Sequence, residues 1–492
     1  MRLKISARKS DLARLQAYRV ADALKEKNPK IEIEFQFKES LGDKNLQDPL
    51  WKLPEKGVFT EDFYQELLSG ATDIVVHSWK DLPTELKSET VIAATLPRAD
   101  QRDLLFVKKS DFTDLKKNRK IRIFSSSPRR AYNLSPFLLQ ALPLGLESVE
   151  FEPVRGNIST RIRKMMDSNT VSGLIVAKAA IDRLLSAPEP EFQSGQKQIR
   201  ESLQSLEWMV LPLSVNPNAA AQGALAIEVL RSRKDLSDLL SHINDVESFQ
   251  AVQQERQVLS QHGGGCHQKI GVAVLPRKFG TLQICRGLTD RGQILSQNEI
   301  LKSSPHRFSE NEMWSADSDS LFSRESLPFT GLAKEVNSVF VSKAQAWPET
   351  LVFQGLVWTA GVGTWKKLAS RGIWVHGTQD GLGENEPELL ETLPQQPLRW
   401  AKLTHTAGVV EDGKVNVATY RLVPKAAGDF SGKKSFFWSS GSQFLRATEI
   451  DPSIVDRVHA CGPGHTARTI STKVKNLEVF LNVEEWKQKC KI

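Results

Sequence analysis

The chain has only four cysteines in 492 residues, Cys266, Cys285, Cys461 and Cys490. None forms a Cys-x-x-Cys pair or a metal-ligand spacing, and four are too few to staple a chain of this length with disulfides. A reducing compartment is the expectation. Long hydrophobic runs are also missing. No stretch approaches the roughly 18 apolar residues that span a bilayer, and the opening segment, MRLKISARKSDLARLQ, has no apolar signal core. These absences predict a cytoplasmic protein that neither crosses a membrane nor is secreted. Internal repeats and low-complexity tracts are absent too. With 40% hydrophobic and 25% charged residues the composition is that of a globular protein. The length exceeds what one core can hold and predicts three to five domains.

What is present in excess is positive charge, +8 overall. A basic protein can bind nucleic acid, an acidic membrane face or small polyanions. Nucleic-acid binding calls for aromatic platforms or a basic stripe, and neither is found. The arginines instead sit in short motifs beside Ser, Gly and Asn. That placement favours small anions.

Hydrophobic periodicity predicts strands and helices in alternation. Strands are expected at Leu3–Ser6, Ile31–Phe37 and Asp73–His77, with helices from Ser10 or Asp11 to about Asn28 and over Phe59–Leu68. A second set follows, with strands at Ile121–Phe124, Val149–Pro153 and Gly173–Val176 and a helix over Ile158–Asp167. The pattern predicts two α/β units with largely parallel sheets. A helix over Asp245–Ser260 and strands at Ile270–Val274 and Thr281–Arg286 make a small α+β piece. Between about Ser303 and Glu325 the composition turns polar and predicts a linker. A fresh αβ pattern then starts at Ser338–Ser342, and Ser435–Ser439 reads as a later strand.

Several motifs fall where strands end, the edge at which open α/β sheets bind ligands. His77-Ser78-Trp79-Lys80-Asp81 follows an apolar strand and sets a cation beside an acid/base group. Ser125-Ser126-Ser127-Pro128-Arg129-Arg130 combines hydroxyls, backbone N–H groups and two guanidinium forks at a helix start, a setting for a carboxylate or phosphate. Arg155-Gly156-Asn157 with Arg161 repeats the arrangement, as do Arg8 and Ser10. Each sheltered charge-assisted bond is worth roughly 1.5–3 kcal/mol, so the implied ligand carries several carboxylates. Gly263-Gly264-Gly265 would display Cys266 at a loop tip, where nearby arginines would favour its thiolate.

Taken in order, these motifs resemble the hydroxymethylbilane synthase (porphobilinogen deaminase) family over about residues 1–300. They are Arg8-Lys9-Ser10, Gly42-Asp43, Lys56-Gly57-Val58-Phe59, Val76 to Pro83, Ser126 to Arg130, Arg155-Gly156-Asn157 with Arg161, Gln222-Gly223-Ala224 and Gly264-Gly265-Cys266. The resemblance implies a covalent dipyrromethane cofactor on Cys266 through a thioether. It also implies head-to-tail joining of four porphobilinogen units, each losing ammonia, with Asp81 as the catalytic carboxylate. Arg8, Ser10, Lys80, Ser126, Ser127, Arg129, Arg130, Arg155, Arg161, Arg183 and Gln222 would bind cofactor and substrate. Lys52, Lys56 and Phe59 would lie on a loop over the site. Pro128 departs from the family pattern, and a helix's first turn tolerates proline.

A second resemblance, to uroporphyrinogen III synthase, rests on Val339 to Ala344, Thr359 to Thr364, Tyr420-Arg421, Phe437 to Ser442 and Cys461 to Thr466. It implies two α/β lobes joined by a two-stranded connection. The Ser303–Glu325 stretch before Val339 is too polar to supply an opening strand, helix and strand, which should be apolar where buried, so this copy is expected to be partial.

The expected fold class is α/β. Two domains resemble periplasmic binding proteins, about 1–100 with 215–242 returning, and 101–214. A small α+β domain with the cofactor cysteine (243–302), a linker (303–327) and a synthase-like α/β region (328–492) follow. The expected protein is a monomeric transferase acting on porphobilinogen, without metal, nucleic acid or membrane, and with a separate synthase as a partner. Two alternatives stay open: a bifunctional enzyme, and a non-catalytic anion-binding protein.

Overall fold

A computed structural model describes residues 1–39, 60–85, 87–263, 268–315, 320–425 and 428–492. The chain divides into two compact units. The first comprises Met1–Leu139, Leu144–Pro276 and Ile284–Gln297, and the second Gln140–Pro143, Arg277–Gln283 and Asn298–Ile492.

In the first unit, strands β1 (Arg2–Arg8), β2 (Glu32–Lys38), β3 (Ile74–Ser78) and β4 (Thr90–Ala94) form one sheet. Strands β5 (Asp103–Lys108), β6 (Lys120–Phe124), β7 (Ser148–Glu152), β8 (Gly173–Ala177) and β9 (Leu206–Leu211) form another, and β10 (Leu225–Leu230) returns to the first. The orders match: β2-β1-β3-β10-β4 and β7-β6-β8-β5-β9. Each lobe is parallel except for one strand, β10 against β3 and β4, and β5 against β8 and β9. The sequence pattern pointed to largely parallel sheets and did not place these two reversed strands.

Local chemistry explains the elements. In the helix Asp11–Lys27, Ala13, Gln16, Ala17, Val20, Ala21 and Leu24 are buried at three- and four-residue spacings, and Lys25 and Lys27 close the last turn. That stripe packs on Leu3, Ile5, Ile74, Val76 and Ile227 in one core. Strand β3 is buried from Ile74 to His77, as suits a strand flanked on both sides. The helix over Pro128–Ala141 begins with Pro128, where a missing N–H costs nothing.

The helix Val246–Gln261 binds the segments that cross between the lobes. Its Glu255 is fully buried. Arg98 donates to it through both terminal nitrogens at 2.8 Å, Ala221 N at 2.8 Å and Asn218 Nδ2 at 3.1 Å. Strands β11 (Gly271–Leu275), β12 (Leu282–Leu288) and β13 (Ile294–Ile300) then form a small sheet.

The second unit also holds two sheets. Strand β14 (Met313–Ser315) joins β21 (Ser435–Trp438), β22 (Val458–Cys461) and β23 (Leu477–Val479) in a parallel sheet. Strands β15 (Phe322–Ser326), β16 (Ser338–Val341), β17 (Leu356–Thr359), β18 (Gly377–Thr378), β19 (Trp400–His405) and β20 (Lys414–Pro424) form the other. An antiparallel ribbon of β15 and β20, in register from Phe322↔Pro424 to Ser326↔Tyr420, accompanies both passages between the sheets. The expected linker at 303–327 is therefore corrected: it contains β14 and β15. A buried Met313-Trp314-Ser315 triplet was hidden by its polar surroundings, and β15 is largely exposed and needs no apolar pattern.

Candidate functional site

The motif residues stand at one edge of each lobe because they follow parallel strands. Arg8 ends β1, and Ser10 precedes the helix Asp11–Lys27, its carbonyl accepting from Arg14 N at 2.9 Å while its hydroxyl makes no cap. Lys80 and Asp81 form a 3₁₀ turn directly after β3. A reversed strand begins at the edge where its parallel neighbours end. For that reason Asp103, the first residue of β5, lies opposite Ala177 at the end of β8, and Leu225 opposite Ser78.

Asp103 is the hub, and the motifs gave no hint of it. Its carboxylate is fully buried. It accepts from Arg129 Nη2 at 2.9 Å, Arg130 Nε at 3.0 Å and Nη2 at 2.6 Å, Asn216 Nδ2 at 2.8 Å and Gln222 Nε2 at 2.9 Å. Burial alone would raise its pKa. The charges of Arg130 and Arg129 and these hydrogen bonds hold it well below the usual carboxylate range. An acid opening the apolar run Leu104 to Val107 was the available signal.

Arg129 and Arg130 are thus not two open forks, as the Ser-Pro-Arg-Arg motif suggested. Arg129 is 4% exposed. Its Nη1 donates to Asn216 Oδ1 at 2.9 Å and Pro217 O at 2.6 Å, and its buried Nε has no partner among the described residues. Arg130 also donates to Ile175 O at 3.1 Å. Ser126 is occupied as well: its hydroxyl donates to Val154 O and accepts from Val154 N, both at 2.9 Å. Ser127 Oγ accepts from Arg130 N at 3.4 Å in the helix's first turn.

Gln222 Oε1 accepts from Lys80 Nζ at 3.3 Å, linking the hub to the turn that carries Asp81, which is exposed. Burial pushes the Lys80 ammonium pKa down, while Asp81 works against that shift. Arg155 lies in the loop after β7. Asn157 caps the following helix by accepting from Thr160 N at 2.9 Å. Gly156 has φ 113° there, and a Cβ would meet Thr160 Cγ2 at 2.8 Å.

Arg161 and Arg183 differ from the Asp103 cluster: Asp81 acts on the first and Asp182 on the second from a distance, without an ion pair. Arg161 Nε donates to Gly156 O at 2.7 Å and Arg183 Nη2 to Gly223 O at 2.6 Å. Neither forms an ion pair with a described residue. Burial first, then neighbouring guanidiniums (Arg130 for one, Arg19 for the other), brings each down to about 10. Two sheltered cations held only by carbonyls fit a ligand that brings carboxylates. Cys266, Lys52, Lys56 and Phe59 lie outside the described residues.

Two lobes of matching strand order, with a cation-rich cluster at their strand ends, define a two-lobed α/β protein. Residues 3–238 match the family model described as porphobilinogen deaminase, dipyromethane cofactor binding domain. The porphobilinogen deaminase of Syntrophomonas wolfei is 36% identical over 290 residues, covering 58% of this chain and 84% of that protein. The porphobilinogen deaminase of Lawsonia intracellularis is 36% identical over 307 residues, 61% of this chain and 89% of that protein. The chain belongs to the porphobilinogen deaminase family. Among solved structures, the substrate-binding domain of a molybdenum ABC transporter from Clostridium difficile matches with TM-score 0.29 and 12% identity, over 52% of this chain and 96% of that one. No helix among the described residues is long and apolar enough to cross a membrane.

Proposed function

We propose that the chain is a working hydroxymethylbilane synthase, a transferase that joins four porphobilinogen units head to tail with loss of ammonia. The observation that carries this reading is the surplus of sheltered cations, above all Arg161 and Arg183, which donate to carbonyls and form no ion pair with a described residue. A dipyrromethane group fits this donor set. When bound, it supplies the terminal pyrrole to which incoming units are joined. Arg161 and Arg183 would hold acetate and propionate carboxylates, and Arg130 would contribute the N–H groups it does not spend on Asp103. Arg129, with both terminal nitrogens on protein acceptors, would back its neighbour. Arg8 and Ser10 at the strand-end edge of one lobe and Arg155 at that of the other would serve the growing chain. Asp81 would share a proton with departing ammonia and balance the positive charge developing on a pyrrole nitrogen.

Cys266 is proposed as the attachment point. The other three cysteines are buried, and burial pushes Cys285 up to about 11 and Cys461 up to about 12, with Cys490 also raised. Such thiols are poor nucleophiles near neutral pH. The test is intact mass together with turnover. Wild-type protein should exceed its sequence mass by the dipyrromethane, and Cys266→Ser should lose both adduct and activity. An active, unmodified wild type would refute the assignment.

The second unit supports a further reading, a relative of uroporphyrinogen III synthase, through its two lobes and their β15–β20 ribbon. We infer that it does not close the tetrapyrrole. Where its lobes touch, Gly383 stands against Gly464 so closely that a Cβ on either would meet the other's backbone within 2.9 Å. His465 approaches Glu411 at 3.0 Å and Glu384 at 3.9 Å there. Lys402 and Lys414 are taken up by these carboxylates and Glu388, so the junction has no surplus cation for a product that carries carboxylates itself. Full-length protein fed porphobilinogen should give the type I uroporphyrinogen isomer that arises by spontaneous closure. Predominant type III product without added enzyme would establish a bifunctional chain.

A further inference from the structure

Asp103 is surrounded so completely that its role can be read by elimination. Five donors converge on it: one from Arg129, two from Arg130, one from Asn216 and one from Gln222. A carboxylate offers about four lone-pair sites. Asp103 has no lone pair left for a ligand or a metal, and with its pKa far below the working range it takes up no proton. What it can still do is place other groups.

We propose that Asp103 is the positioning residue of the anion site, and that it sets three features at once. This rests on the reading of the cluster as the porphobilinogen site. First, Arg129 and Arg130 are consecutive in a helix, so their side chains leave the axis about 100° apart. A shared carboxylate brings both guanidiniums to one place and offsets their repulsion. Second, Arg130 spends one N–H each from Nε, Nη1 and Nη2 on Asp103 and Ile175 O. Of the five N–H groups of a guanidinium, one on each terminal nitrogen then has no partner among the described residues, the two-pronged arrangement that suits a ligand carboxylate. Third, Asp103 and Gln101 O both accept from Gln222 Nε2, at 2.9 and 2.8 Å. That fixes the amide so that its oxygen faces Lys80, the neighbour of Asp81. Asp103 reaches the reacting groups only through these residues.

The experiment uses the full-length protein with Asp103→Asn, which keeps size and removes charge. An amide there sets N–H against N–H at one or more of the five donors. For chains that carry the adduct, kcat/KM for porphobilinogen should fall on the order of 100-fold, mostly through KM. The fraction of chains with adduct, read by intact mass, should fall as well. Asn216→Ala is the second variant. It leaves the carboxylate and removes one donor to it and one acceptor of Arg129, and KM should rise several-fold in the same direction. If Asp103→Asn does not fold, Asn216→Ala decides. Wild-type KM and adduct fraction in the variants that fold, with only a lowered Tm, would overturn the positioning role alone. An unmodified, inactive wild type would remove the functional reading and this one with it.

Discussion

Both compact units contain two α/β lobes, and in both the charged side chains collect where the lobes meet. The balance differs. In the first unit the five cations Lys80, Arg129, Arg130, Arg161 and Arg183 face three acids, Asp81, Asp103 and Asp182. In the second, Lys402 bridges Glu384 and Glu411, Lys414 bridges Glu388 and Glu411, and His465 completes the group. Burial and a hydrogen bond with Glu411 raise the Glu384 pKa. Burial acts on Glu411 in the same sense, but His465, Glu384 and Lys402 hold it below the ordinary carboxylate range. One cluster holds more cations than acids, whereas the other matches them. Cation-rich burial marks a ligand; matched burial marks architecture.

Three substitutions test that contrast. The largest effect should come from Asp81→Asn, which removes the exposed carboxylate of the cation-rich site. Turnover should fall on the order of 100- to 1000-fold with circular dichroism unchanged, and near-normal turnover would reduce Asp81 to a turn residue. Lys402→Met should do the opposite. It takes from Glu384 and Glu411 the cation they share, leaving Lys414 and His465 on Glu411, and should cost about 3 kcal/mol in a urea melt, while porphobilinogen consumption stays at the wild-type rate. A drop in consumption equal to that of Asp81→Asn would erase the distinction between the clusters.

The smallest effect is a pH dependence confined to the second unit. His459 is fully buried. Its Nδ1 accepts from Trp438 Nε1 at 2.9 Å, which leaves its Nε2 to donate to Ile454 O at 2.9 Å. Both nitrogens are satisfied only in the neutral ring, and burial brings the pKa down from 6.5 to about 4. A depressed pKa stabilises the fold above the unfolded value of 6.5, and that stability is lost as pH falls towards 4. The second unit should lose about 1–2 kcal/mol by pH 5, read from the fluorescence of Trp314 and Trp438, and His459→Gln should flatten the profile. An unchanged slope in that variant would mean that another group titrates.

Much of the first unit was legible from its sequence because its signals are local. The helix Ile158–Asp167 was predicted with the bounds it has, and the strands at β1, β2, β3, β6, β7 and β8 were placed within a residue or two. Strand direction is not a local property. Nothing within Asp103–Lys108 or Leu225–Leu230 says that these segments run against their neighbours, so the two residues that open onto the ligand edge from reversed strands could not be placed. Asp103 was missed for that reason, although Gln222, which precedes the other reversed strand at Leu225, was found through its motif. Ser126 shows the converse error. Its chemistry suits an anion, but its hydroxyl is taken by Val154, a partner 28 residues away that no spacing rule reveals.

The reversed strand β10 also governs when the site can come into existence during synthesis. It pairs with β3 on one side and β4 on the other, yet the whole second lobe is made between β4 and β10. A ribosome that has released the first four strands has produced a sheet with a missing slat, and two rows of backbone groups wait there without a ladder. Closing that gap requires a long-range contact, the slow kind, and it draws Gln222 into place beside Lys80. The first lobe is thus completed by residues that emerge after the second. No half-made chain presents the finished cluster of Lys80, Gln222 and Asp103.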